Sequence, residues 1–404
     1  MPSHSPAPAP DGRSTIRTIL TPGAVLRLVL GWAAVGVLTL AAPLLAAPLP
    51  SPVLTLVLAA IVAVIVVAAG GVVHQAEALA RRLGDPYGTL VLTLSIVVIE
   101  VALIAAVMLG PGEHAVIARD SVMAVSMIIM NLALGLCLLA GGLRHGSLAP
   151  HRVGTSAYLV MLTALAALTF ALPATIGDGG SYAPGQALVI GGLTMAVYAF
   201  FLWRQVGAQA GEFQEVERPV GVAGTPDPAP GPDPAAPQQS ARNRPALGEV
   251  LSVHRSELLG RAAVLIATVL PIVLLSHDMA GLLDDGLARL GAPVALGGVL
   301  IAAIVFTPES ITAVRAALNG EMQRVVNLCH GALVSTLALT IPTVLVIGLA
   351  TGTEVVLAES PKNLLLLGVT LAVAAISASA PRTTAVHGAV HLLLFGVYAL
   401  MLFS

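Results

Sequence analysis

Charge is what this chain has least of. Only 10% of its 404 residues are Asp, Glu, Lys or Arg, against roughly 25% in a soluble globular protein, and a hydrophobic share of 57% fills the gap. That balance excludes a soluble fold. Cysteine is equally scarce, and Cys137 and Cys329 each lie inside an apolar run. A disulfide framework and any zinc-ligand spacing are thereby excluded, and the pair reads as small core residues. The chain has no G-x-x-x-x-G-K-[ST] phosphate loop and no soluble nucleotide-binding region, which excludes an ATP-driven pump. Nothing suggests a hydrolase triad or a nucleic-acid surface. The chain is therefore not read as an enzyme, and no cofactor is expected.

What is present is a series of apolar runs of about 20 residues, each long enough to cross a hydrocarbon core of about 30 Å as a helix. A membrane β-barrel would need segments of roughly ten residues alternating in polarity. The runs predict eleven spans, starting near Leu28, Ser51, Gly88, Ser121, Gly154, Ala183, Arg261, Pro293, Val325, Asn363 and Ala385. The fold class is thus an all-α polytopic membrane protein, with the lipid bilayer as its first partner. A disordered, polar, Pro-rich tail is expected over 1–27, and an uncleaved extra first helix over 28–47. The stretch 206–260 contains PDPAPGPDPAAPQQSARNRP and has the composition of a disordered linker. It separates units at 51–205 and 261–404.

Basic residues orient the spans, because they stay preferentially on the cytoplasmic side. With the N-terminus and linker inside and the C-terminus outside, sixteen of the nineteen basic residues are cytoplasmic; Arg119, Arg289 and Lys362 are the others. A missed or invented span would swap every later loop and destroy this asymmetry. The expected location is a bacterial inner membrane.

The two halves resemble each other. SIVVIEVALIAAVML around Glu100 matches AIVFTPESITAVRAAL around Glu309, MNLALGLCLL around Asn131 matches STLALTIP around Thr336, and LARRLGDP and LARLGAP precede the two acidic helices. Each unit holds five spans. Because five is odd, the second unit enters the bilayer in the opposite sense, which gives inverted-topology repeats. That architecture is characteristic of secondary transporters, whose ion sites lie near the midplane between repeats.

Glu100 has no other charge within its span, and Glu309 lies well inside another. An acidic residue at a helix centre costs roughly 3 kcal/mol on insertion scales, so a functional role is the default for an intramembrane carboxylate. Pro308 removes a backbone donor and disfavours helix at Thr307, freeing carbonyls one turn back to accept a cation; Ser95 offers an oxygen before Glu100. Two carboxylates with neutral oxygens suit a divalent cation such as Ca²⁺, whereas Na⁺ or K⁺ needs less negative charge. Asn131, Ser335 and Thr336 are candidate supporting ligands, though such residues also serve as interhelical hydrogen-bonding glue. His74 and Glu77, three apart on one helix face, are a candidate proton relay. His330, His387 and His391 read as bundle-facing histidines rather than a metal pair.

VVIEVALIAAVM, HQAEALARRLGDPYGTLVLTLS, TPESITAVRAALNGEMQRVVNL and the LALTIP run resemble the calcium/proton exchanger branch of the Ca²⁺:cation antiporter superfamily, of the ChaA type. In that superfamily each repeat gives one glutamate to a central cation site, a role that the resemblance carries over to Glu100 and Glu309. Asn131 and Ser335 fall near the family's polar positions on the following helix. The usual G-N-A-x-E before the glutamate is replaced here by IVVIE and VFTPE. The resemblance implies exchange of Ca²⁺, or of Na⁺ or K⁺, against H⁺, with alternating access and cation and protons competing for the two glutamates. A Na⁺/H⁺ or K⁺/H⁺ antiporter of the same fold, or a cation channel, is the alternative; oligomeric state stays open.

Overall fold

A computed structural model describes residues 18–45, 49–83, 115–214, 247–293 and 295–403, together with positions 94, 95, 97, 98, 100, 101, 104, 105 and 108. In chain order the helices are α1 (Pro22–Leu45), α2 (Ser51–Leu83), α3 (Ile117–Met127), α4 (Leu134–His145), α5 (Arg152–Ala166), α6 (Pro173–Ile176) and α7 (Pro184–Val206). They continue with α8 (Leu247–Leu290), α9 (Ala295–Asn319), α10 (Met322–Thr351), α11 (Pro361–Ser379) and α12 (Ala385–Met401). A π-helical turn, Ile128–Ala133, joins α3 to α4, and a second, Ala167–Ala171, follows α5. The described positions between 94 and 108 are helical.

Among the described residues eight helices are long and apolar enough to cross a membrane, or nine if the two halves of α9 form one span. Helix α12 is apolar but only 17 residues long. The span expected from Gly88 lies largely outside the described residues, so they do not establish the count of eleven.

Several boundaries differ from expectation for visible reasons. Helix α1 starts at Pro22 rather than Leu28, because proline suits a first turn that has no use for its missing N–H and Thr21 Oγ1 accepts from the Ala24 N–H at 3.2 Å. Ile19, placed in the expected tail, is buried. Helix α8 begins at Leu247, inside the expected linker, and runs for 44 residues. Leu247, Val250, Leu251 and Leu258 already follow helical spacing there. Farther along it, charges are paired: Arg261 Nη2 lies 3.0 Å and Arg82 Nη2 3.2 Å from Glu257, and Arg261 donates to Gln75 at 3.1 Å. The other edge of the linker is docked, since Asn327 Nδ2 donates to the carbonyl of buried Phe213 at 2.6 Å. Residues 215–246 lie outside the described ones.

Burial separates a centre from a rim. The central windows of Ala118–His145 and Met322–Thr351 are 83% and 67% buried, against 6% for α1. One apolar cluster joins α2 to α8, with Ile65, Val72, Ile272 and Leu275 at its heart, and α1 leans on it. A larger cluster is built around α3, α4 and α10. Helix α12 lies along α4 as α7 lies along α10, the same pairing with the halves exchanged. The first approach depends on glycine: a Cβ on Gly388 would collide with the Leu139 backbone, and one on Gly142 with the backbone of Ala385. Small residues bring membrane helices this close.

Candidate cation site

Glu100 shares its helical face with Val97, Ile104 and Met108, all buried, and is itself only 7% exposed. That spacing turns the carboxylate toward protein rather than lipid. Its Oε2 accepts a 2.5 Å hydrogen bond from Thr336 Oγ1 on α10. Its Oε1 has no partner among the described residues.

Glu309 is placed the same way on α9, with Ala302, Phe306, Ala313 and Ala316 on its buried face and 4% exposure. Its Oε2 is unpartnered among the described residues, and it lies within electrostatic reach of Glu100. Helix α9 bends by 57° between Leu296–Ile304 and Glu309–Asn319. Proline within a helix removes one hydrogen bond and causes such kinks, and Pro308 falls at this break. The helix nevertheless continues through Thr307, where a non-helical residue was expected. Thr307 Oγ1 donates to the Ala303 carbonyl at 2.7 Å and Ser310 Oγ to Phe306 at 3.0 Å, so hydroxyls satisfy carbonyls around the bend.

Of the candidate supporting residues, Thr336 touches Glu100. Ser335 is used otherwise: its Oγ donates to Gly331 and accepts from Tyr198, both at 2.8 Å. Asn131 sits in the π-helical turn, a feature common at functional sites, but its side chain is already taken. Its Nδ2 donates to Thr370 Oγ1 at 2.8 Å, and its Oδ1 lies 3.2 Å from His391 Nδ1. Asn131 is thereby turned to α11 and α12. Ser95 is half-buried on the stretch that carries Glu100. His74 is exposed, and Glu77 pairs with Arg81 at 3.6 Å. Among the described residues no group of three or more His, Cys, Asp or Glu could hold a metal.

Sequence reasoning passed over Thr370 and read His391 only as a bundle-facing histidine, because the contact each makes is to another helix. The two cysteines also meet, thiol to thiol, between α4 and α10.

At the end of the molecule near 177–183 and 352–360 a cavity of about 280 Å³ is lined by Ser181, Tyr182, Leu345, Thr353 and Glu354. Ser181 Oγ donates to Glu354 at 3.0 Å. Burial pushes the Tyr182 phenol up to about 12, and it donates to the Leu168 carbonyl at 2.5 Å. Nearby, Arg119 pairs with its neighbour Asp120 at 2.8 Å and ties α3 to the segment before α11 through Glu359 at 3.8 Å and the Ala358 carbonyl at 3.1 Å.

The sodium/calcium exchanger protein family matches residues 53–207 and 256–404. The chain belongs to that family. It is thus a membrane cation exchanger rather than an enzyme, and its relatives agree. The exchanger is 31% identical over 333 residues to the sodium-potassium/proton antiporter ChaA of Escherichia coli, covering 82% of this chain and 85% of the relative. It is 37% identical over 332 residues to y4hA of Sinorhizobium fredii, a protein named for ionic transport, covering 81% and 83%. In fold it resembles native YfkE, with a TM-score of 0.65 at 15% identity over 93% of this chain and 99% of the other. It likewise resembles the H⁺/Ca²⁺ exchanger CAX, with a TM-score of 0.63 at 14% identity over 96% and 89%.

Proposed function

We propose that this exchanger moves Ca²⁺ out of the cytoplasm in return for protons, with Glu100 and Glu309 holding either the cation or protons. The observation that carries the reading is the pair of buried carboxylates, each with an oxygen that no described residue satisfies. A buried charge without a partner is costly, so the site is relieved either by a cation or by protonation. Competition for the same negative charge then couples the two fluxes, and two protons would balance one Ca²⁺. Thr336 supports Glu100, and alternating access carries the loaded site between faces. The N-terminus and linker lie in the cytoplasm and the C-terminus outside, in a bacterial inner membrane, with five-helix units at 51–205 and 261–404.

The name of the Escherichia coli relative favours a second reading, in which Na⁺ or K⁺ takes the place of Ca²⁺. Purified full-length protein in proteoliposomes with a preset pH gradient separates the two. Under the first reading Ca²⁺ collapses the gradient, and Glu100→Gln or Glu309→Gln stops it. Collapse by Na⁺ or K⁺ alone moves the assignment to the second. No proton movement with any cation sinks both.

A further inference from the structure

His330 on α10 and His391 on α12 are both buried, at 3% and 0% exposure. Both ring nitrogens of His330 and Nε2 of His391 lack a hydrogen-bond partner among the described residues. Both rings line one cavity of about 20 Å³, whose wall also includes Thr155, Ser377, Thr383 and Pro150. That volume exceeds the minimum of about 10–15 Å³ for a water, and the two imidazoles are the two polar partners a buried water needs; the Thr155 and Thr383 hydroxyls already donate to the His151 and Leu148 carbonyls. Its lining includes no Asp, Glu, Lys or Arg, so a metal cation has no counter-charge there. Pro150 and Thr383 belong to the connections beside Arg144, Arg152 and Arg382, at the end that the basic residues mark.

The network fixes how the rings are presented. Asn131 Nδ2 is committed to Thr370 and to Met127 Sδ, so its Oδ1 faces His391 and Nδ1 of that ring carries the proton. A bare Nε2 is left to the cavity. His330 stacks on Tyr158 of α5 with ring centroids 6.4 Å apart. Among the described residues the other ionisable groups around the pair include the Tyr158 phenol, which accepts from Gln205 at 2.7 Å, His387, whose Nδ1 accepts from the Thr384 N–H at 3.1 Å, and the Cys137–Cys329 thiols. Six residues beyond His330, about 9 Å along the helix axis, Thr336 bonds Glu100.

We infer that the cavity bounded by His330 and His391 is a proton path between the basic end and the glutamates, separate from the route of the cation. A proton that enters on the cavity water from the basic end passes to one nitrogen of His330, and the ring releases the proton of its other nitrogen toward Glu100, whose carboxylate accepts it, so water and imidazole both end neutral. His391, held by Asn131, is a positioning residue that accepts from the same water. This inference rests on the proton-coupled reading above.

The test compares two fluxes in proteoliposomes holding the whole chain. Radiolabelled cation self-exchange at equal pH needs no proton movement, whereas cation-driven proton flux does. His330→Phe keeps the ring stack and removes both nitrogens; His330→Gln keeps polarity without a titrating ring. Both are expected to lower proton flux by on the order of a hundredfold while self-exchange stays within about twofold. Unchanged proton flux, or an equal fall in both fluxes, overturns the relay. Absence of proton flux in the unmodified protein instead overturns the exchanger reading and the relay with it.

Discussion

Glu100 and Glu309 occupy matching places in the two halves, yet their surroundings have diverged. Glu100 is held by a short bond from Thr336, while Asn131, the residue that corresponds to Thr336 in the other half, binds Thr370 and His391. The helix of Glu309 is bent at its own position. A repeated sequence thus supplies two carboxylates but not two equal sites, because the helix that follows each has been recruited to different work. The second half offers a hydroxyl to the acid of the first, and the first ties its amide to a histidine of a small cavity.

That asymmetry can be broken in order of effect. Replacing either carboxylate, as Glu100→Gln or Glu309→Gln, should abolish cation-driven proton flux in proteoliposomes, and survival of one variant would show that a single acid suffices. Thr336→Ala should be next: a hydrogen bond to a charged group is worth about 1.5–3 kcal/mol, so apparent cation affinity should shift on the order of tenfold while Thr336→Ser restores it. Asn131→Ala should lower thermal stability by about 1–3 kcal/mol, the cost of leaving Thr370 and His391 without their partner, yet alter cation affinity less than Thr336→Ala does. The reverse order of affinities would make Asn131 a ligand. Gly388→Ala should destabilise the α4–α12 contact by about 1–3 kcal/mol without changing cation preference. Smallest of all, Arg81→Ala removes an exposed pair with Glu77 and should move stability by less than about 1 kcal/mol.

The apolar spans were legible because a bilayer imposes length and polarity on every helix alike. Glu100 and Glu309 were legible for the same reason, since charge is conspicuous where hydrocarbon penalises it. The start of α8 was not, because a helix that continues past the apolar window carries residues such as Glu257, which looks like linker until its pairing with Arg82 and Arg261 is seen. The diversion of Asn131 was hidden as well. Nothing in its own span tells that a π-helical turn presents it to α11 and α12, and His391 looked like one more satisfied histidine. Partners 239 and 260 residues apart leave no trace in local pattern.

The bend in α9 has a kinematic consequence. The arm Glu309–Asn319 begins at the joint itself, and with a rise of 1.5 Å per residue it extends about 16 Å from there. When a rod turns about a pivot its tip sweeps an arc while points at the pivot scarcely travel. Glu309 stands at that still point, so any turn of the arm about the bend would leave its carboxylate nearly where it is.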